Sequence, residues 1–295
     1  MHDKCDKVSN YLSIFINYIK DNNVNIVLWW FINIPTTEFI HIKQVTNVKY
    51  IFFNWDEPYN WIPCDIISKM KYFDAVFVTC SETLQTYKNN GCAKAICLYP
   101  GFDPKKNYIL TSIDMRLYNK YNCDISFCCT NLYDDPHLYP NQYISRKKLI
   151  DDVYIGQKKY GYKFNIYGPC FLNELYPDSY KGFTKYDDLN NIFNFSKINL
   201  CTHVLNNKDG YLNERVILIG GSGGLLLVDY VKGIENIFEI NNEILVLDKH
   251  YYVDQIASIL CNYDKYITIR KNLNNKCNLK FTYDVWAKSI LDVIM

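Results

Sequence analysis

The chain has 295 residues, 49% of them hydrophobic, and 32 basic against 31 acidic side chains give a net charge of +1. That length accommodates two compact α/β lobes, and that composition excludes a disordered chain. The balanced charge, with short clusters such as Arg146-Lys147-Lys148 set among acids, excludes the electrostatic footprint of a nucleic-acid binder and a basic membrane-surface helix.

In chain order, residues 8–20 read as an amphipathic helix whose apolar stripe is Tyr11, Leu12, Phe15, Ile16 and Ile19. Apolar runs at 25–31, 50–55, 75–80 and 95–99 read as strands, the first covered on both faces, with a helix opening at Ser81-Glu82-Thr83 between the last two. Pro100-Gly101-Phe102-Asp103-Pro104 breaks the pattern and reads as the start of an inter-lobe linker. A second alternating series follows, with strands at 124–129, 163–167, 198–203, 225–228 and 244–247. Helices are expected at 144–160, 186–195 and 214–219, and three more close the chain at 251–261, 264–274 and 283–294. Two such series predict an α/β protein of two Rossmann-like lobes, residues 1–115 and 116–295, with the ligand cleft between them.

The 12 cysteines lie mostly inside these elements, where a thiol behaves as a small hydrophobe, and no CxxC pair or zinc spacing occurs. The N-terminus, Met1 to Asn10, is polar, and the longest apolar run, Ile26 to Ile32, is strand-sized. The expectation is a cytoplasmic protein with buried thiols, no membrane span, no bound metal and no cofactor. The 27 Tyr, 16 Phe and 5 Trp accord with A/T-rich codon usage as well as with ligand binding.

Four passages in the second half carry a resemblance. They are Asp124-Ile125-Ser126-Phe127 with its loop and Arg146; Phe164-Asn165-Ile166-Tyr167-Gly168; Gly182 to Leu189 leading into Ser196 to Leu200; and Gly210-Tyr211-Leu212-Asn213-Glu214-Arg215. The last continues through Gly220 to Gly224 into Leu225-Leu226-Leu227-Val228-Asp229. Their order resembles the group 1 glycosyltransferases of GT-B fold, specifically the spore-maturation (CgeB-like) branch. The resemblance implies that the second lobe binds a nucleotide-diphosphate sugar. The first lobe would then hold a glycan, protein or small-molecule acceptor.

Under that resemblance the donor-binding candidates are Arg215, Arg146, Asn213, Glu214, Gly168, Gly223, Gly224 and Asp229. A leaving diphosphate calls for a bidentate cation and backbone N–H groups, which an arginine and a Gly-rich turn opposite a helix N-terminus supply. The bland alternatives stay open: solvent-paired helix arginines, a plain turn, and a helix cap at Asp229. His203, at a strand end, is an imidazole candidate near the donor or a core histidine. Asp56 and Glu57, flanked by Trp55, Tyr59 and Trp61, are candidates for the catalytic base that takes the acceptor proton, or else a turn with aromatic packing.

Two features depart from the family pattern. Leu218 stands where the family has a glutamate three residues after the arginine, and Glu214 is expected on a different helix face from it. The chain also opens on a helix, so the first lobe is short. The expected activity is metal-independent glycosyl transfer, and the alternative is a catalytically inactive nucleotide-sugar-binding or scaffold protein. An epimerase would carry a GxGxxG near its start and a periplasmic binder a signal peptide, and neither pattern is seen.

Overall fold

The computed structural model describes all residues except 1, 31, 56–60 and 63, and describes side chains from residue 11 onward apart from those positions. The chain divides into two compact units, Met1–Leu98 with Ser289–Met295, and Tyr99–Lys288. Asp56, Glu57 and Tyr59 lie outside the described residues.

The first unit runs α1 (His2–Asp21), β1 (Ile26–Trp29), α2 (Thr36–Val45), β2 (Lys49–Asn54), α3 (Ile66–Lys69), β3 (Ala75–Val78), α4 (Leu84–Asn89) and β4 (Ala95–Cys97). Its strands lie in sequence order, β1-β2-β3-β4, and pair in parallel throughout. Residues Tyr50 to Phe53 of β2 and all of β3 are buried, which explains their unbroken apolar sequence. The aromatic load fills this core: Phe73 stacks on Phe52 at 5.1 Å and packs against Phe39 at 4.9 Å. The helix α2 has no counterpart in the sequence reading. It buries only Phe39 and Ile42, so its apolar stripe is too short to show a period.

The second unit runs α5 (Met115–Tyr121), β5 (Cys123–Cys128), α6 (Arg146–Tyr160), β6 (Phe164–Tyr167), α7 (Phe171–Leu175), α8 (Leu189–Phe195), β7 (Ser196–Cys201) and α9 (Glu214–Gly221). It continues through β8 (Leu226–Val228), β9 (Leu245–Val246), α10 (Tyr252–Cys261) and α11 (Ile267–Lys280) into α12 (Tyr283–Ile294), which ends in the first unit. Its five strands are all parallel, in the order β6-β5-β7-β8-β9. Both units are therefore Rossmann-like α/β layers, as expected from the alternating pattern.

The segment read as a linker is not one. Phe102 is fully buried, its N–H donates to Phe281 O at 2.9 Å, and its carbonyl accepts from Tyr283 N at 2.9 Å. Asn107 Nδ2 reaches Ser222 Oγ at 3.1 Å, and the N–H groups of Tyr108 and Leu110 donate to Asn190 and Asn194. Proline and glycine break the secondary structure here, but the buried phenylalanine ties the segment to the second unit. The unit boundary accordingly falls at Leu98/Tyr99, ahead of the expected residue 115.

Candidate functional site

In the second sheet, β6 lies on one side of β5 and β7 on the other. The direction of travel across the sheet reverses there, and such a switch point opens a crevice outside the carboxyl ends of the strands. The residues just beyond those ends enclose a pocket of about 290 Å³. Its floor is Cys128-Cys129-Thr130 at the end of β5 and Tyr167-Gly168 at the end of β6. One wall is the segment Phe183 to Tyr186 with Leu189, and the other is the first turn of α9: Asn213, Glu214, Arg215 and Leu218.

Local sequence explains each wall. Gly168 is required because a Cβ there would stand 2.3 Å from the Cys129 carbonyl oxygen. Asn213 caps α9, its side chain accepting from Arg215 N at 2.8 Å while its amide donates to Thr202 O at 3.3 Å. That cap turns the N-terminus of α9, the positive end of its dipole, toward the pocket. Phe183, 73% exposed, stands at the rim.

The electrostatics of the pocket centre on Arg215. Among the described residues no hydrogen bond or ion pair holds its guanidinium, so its donors remain available to a ligand. Burial pushes the Glu214 carboxyl above the usual glutamate range, while the charge of Arg215 and the Tyr186 hydroxyl pull it back. Burial also pushes the Tyr186 phenol up, and Glu214 adds to it, although 44% of the residue is exposed. The floor thiols are neutral: burial pushes Cys128 up to about 12 and raises Cys129, so neither is a nucleophile at neutral pH.

Leu218, 3% exposed, occupies the pocket wall where the family pattern puts a carboxylate. Glu214 precedes it by four residues, which places both on one face of α9, and both line the pocket. This corrects the expectation of different faces.

The structure thus brings Arg215, Asn213, Glu214 and Gly168 together at the pocket, and four other candidates stand elsewhere. Arg146 is 2% exposed, with Nε on Thr202 Oγ1 at 2.7 Å, Nη1 on Asn131 O at 2.9 Å and Nη2 on Thr202 O at 3.1 Å. It also lies over the Tyr133 ring at 4.4 Å. Its donors are committed to tying the loop after β5 to the end of β7. Gly223 and Gly224 sit at the far end of α9, and a helix of eight residues sets them about 12 Å from its N-terminus. Their N–H groups are bonded to Gly220 O and Ile219 O, each at 2.9 Å, so this turn closes a helix. Asp229 is fully buried and accepts from His203 and Asn206.

Sequence reasoning did not single out Phe183, Lys185, Tyr186 or the cysteine floor. The first three fall in the Gly182 to Leu189 passage, where aromatic and lysine residues are too common in this chain to stand out. The cysteines read as core thiols, and by burial they are. Cys128 and Cys129 at the pocket carry free thiols. Among the described residues no cluster of metal-ligating side chains is found, and no helix is long and apolar enough to cross a membrane.

Comparison with known proteins bears on this arrangement. A family described as glycosyl transferase-like matches residues 146–292. No curated protein matches the chain. A glycosyltransferase of Rickettsia africae is similar in structure at a TM-score of 0.66 and 16% identity, over 97% of this chain and 80% of that one. HepE of Anabaena, solved with UDP and glucose, gives 0.68 at 10% identity, over 96% and 80%. Sucrose-phosphate synthase of Thermosynechococcus elongatus gives 0.71 at 12%, over 98% and 77%. At such identities the likeness concerns the fold, which is of GT-B type. Within that fold, residues 146–292, including the α9 wall with Arg215, match the glycosyl transferase-like family.

Proposed function

We propose that this protein transfers a sugar from a nucleotide-diphosphate sugar, bound in the switch-point pocket of the second unit, to an acceptor. The observation that carries the reading is Arg215: a guanidinium with uncommitted donors beside a helix N-terminus, in a pocket at the carboxyl ends of parallel strands. A diphosphate accepts bidentate hydrogen bonds from such a cation, and the charge that develops as it leaves is stabilised there. In this reading the arginine and the helix end meet that charge without a metal ion. Glu214, beside Arg215, accepts from donor hydroxyls, and the open rings of Phe183 and Tyr186 offer a stacking face for the base.

The order of the four sequence passages supports placing the chain in the spore-maturation (CgeB-like) branch, and the thiol-rich core suits a cytoplasmic protein. For the acceptor step, the carboxylates of Asp56 and Glu57 are the assigned bases, on sequence grounds alone. A thermal-shift series with UDP-, GDP-, dTDP- and CMP-sugars tests the donor site, because a ligand that binds only the native state raises the melting temperature. A shift with one nucleotide, lost in Arg215→Ala, is expected. A series without any shift removes the reading. A shift without sugar release in a subsequent turnover assay would leave a binding protein.

A further inference from the structure

A second pocket of the same unit, of about 360 Å³, shares no residue with the one assigned to the donor. It opens where β9 gives way to α10 and where α6 begins, and its walls include Tyr143, Lys148, Asp152, Lys249, His250 and Tyr251. A pinned turn presents the last three. Asp248 Oδ1 accepts from the N–H groups of His250 and Tyr251 at 2.8 Å each, and Gln255 Oε1 holds Asp248 N at 2.8 Å. Tyr252, the next residue, is 4% exposed and packs in the core. Tyr251 is left 68% exposed, with the His250 ring meeting it at 6.4 Å and 69°. Core packing accounts for the buried tyrosine and gives the exposed one no structural task.

The polar groups of the walls fall into two sets. Lys148, Asp152 and the Tyr252 hydroxyl bond to one another, and Asp254 is taken by Tyr160 and Lys159. Lys249 has no hydrogen bond or ion pair among the described residues, and its ammonium lies over the Tyr143 ring at 5.4 Å. The hydroxyls of Tyr143 and Tyr251 have no protein partner among those residues either, and each can both donate and accept. The lysine and aspartate charges of the lining cancel, two against two, so they set up no field that gathers an anion.

We propose that this pocket binds one unit of a saccharide, with an apolar ring face on Tyr251 and hydroxyls on Lys249 and the two tyrosine hydroxyls. Apolar faces, no charge, and groups that both donate and accept are what a sugar presents and a phosphate does not. The volume is that of a site for a single small ligand. In the transfer reading above, on which this last step rests, the saccharide belongs to the acceptor, and the acceptor is a glycan.

The test is saturation-transfer NMR on the full chain with maltotriose, cellotriose, chitotriose and mannotriose, without nucleotide and with inorganic phosphate as competitor. One of these sugars is expected to be saturated, and phosphate should not displace it. Tyr251→Ala should weaken it roughly 5- to 10-fold, the value of one aromatic contact, at an unchanged melting temperature because the ring is exposed. Arg215→Ala should leave it within about twofold, which separates this pocket from the donor site. Absence of saturation throughout the panel, displacement by phosphate, or equal binding by Tyr251→Ala overturns the proposal. A trisaccharide that binds as expected while no nucleotide-sugar shifts the melting temperature supports the saccharide pocket, and the glycan-acceptor step alone falls with the donor reading.

Discussion

Arg146 and Arg215 stand on neighbouring parts of the second unit, close enough that the charge of one disfavours the charge of the other. They answer opposite needs. Arg146 is enclosed, and burial works against its charge, yet three hydrogen bonds and an aromatic face hold it in place. Arg215 sits at a capped helix start with its backbone N–H used and its guanidinium uncommitted. Whether the donors of a cation are already satisfied decides if it serves the fold or a ligand. Residue type and neighbourhood alone do not separate the two.

The contrast is broken most forcefully by Arg146→Met. Asn131 O, Thr202 O and Thr202 Oγ1 each lose a donor, so a destabilisation of about 3 kcal/mol is expected, read as a fall in melting temperature of roughly 6–12 °C. Arg215→Ala should do the reverse. Its stability without ligand stays within about 0.5 kcal/mol of the parent, while nucleotide affinity falls roughly 10- to 100-fold in a direct binding assay.

Gly224→Ala sharpens the same division at the other end of α9. Its Cβ would stand 2.6 Å from Asn199 Nδ2, which is itself pinned to Phe193 O and Leu225 O. A loss of about 1–3 kcal/mol in denaturant unfolding is expected, with the nucleotide dissociation constant of the folded fraction unchanged. An affinity loss comparable to that of Arg215→Ala would return this turn to the ligand site.

The smallest effect concerns Glu214. Its carboxyl is raised in the folded chain, so the native state holds the proton more tightly than the unfolded one. Its favourable contribution is complete below the ordinary value of 4.5 and is lost as pH rises through the folded value. Glu214→Gln should therefore melt slightly higher than the parent at pH 7, and the gap should close by about pH 4. A gap that widens toward acid would mean that the carboxylate is stabilised where it stands.

Much of the fold is legible in the chain because its central strands are buried on both faces. Tyr50 to Phe53, Ala75 to Val78 and Leu225 to Val228 must therefore be apolar without interruption. Helices α2, α5 and α7 are silent, since one buries only Phe39 and Ile42 and the others run for seven and five residues. At the site, Arg215, Glu214, Asn213 and Gly168 are marked by motif order. The commitment of Arg146 cannot be read, because its partners Thr202 and Asn131 lie 56 and 15 residues away in sequence. The glycines mislead for a related reason: a helix stop and a phosphate loop share a composition, and only the direction of α9 tells them apart.

Titration calorimetry on the parent and Arg215→Ala, with the nucleotide that shifts the melting temperature, decides whether the pocket at the start of α9 holds the diphosphate. The account predicts a heat of binding that is lost or weakened at least tenfold in the variant, with its melting curve unchanged. Equal affinity in the two proteins would contradict it, because the diphosphate would then be held somewhere other than the pocket at the start of α9.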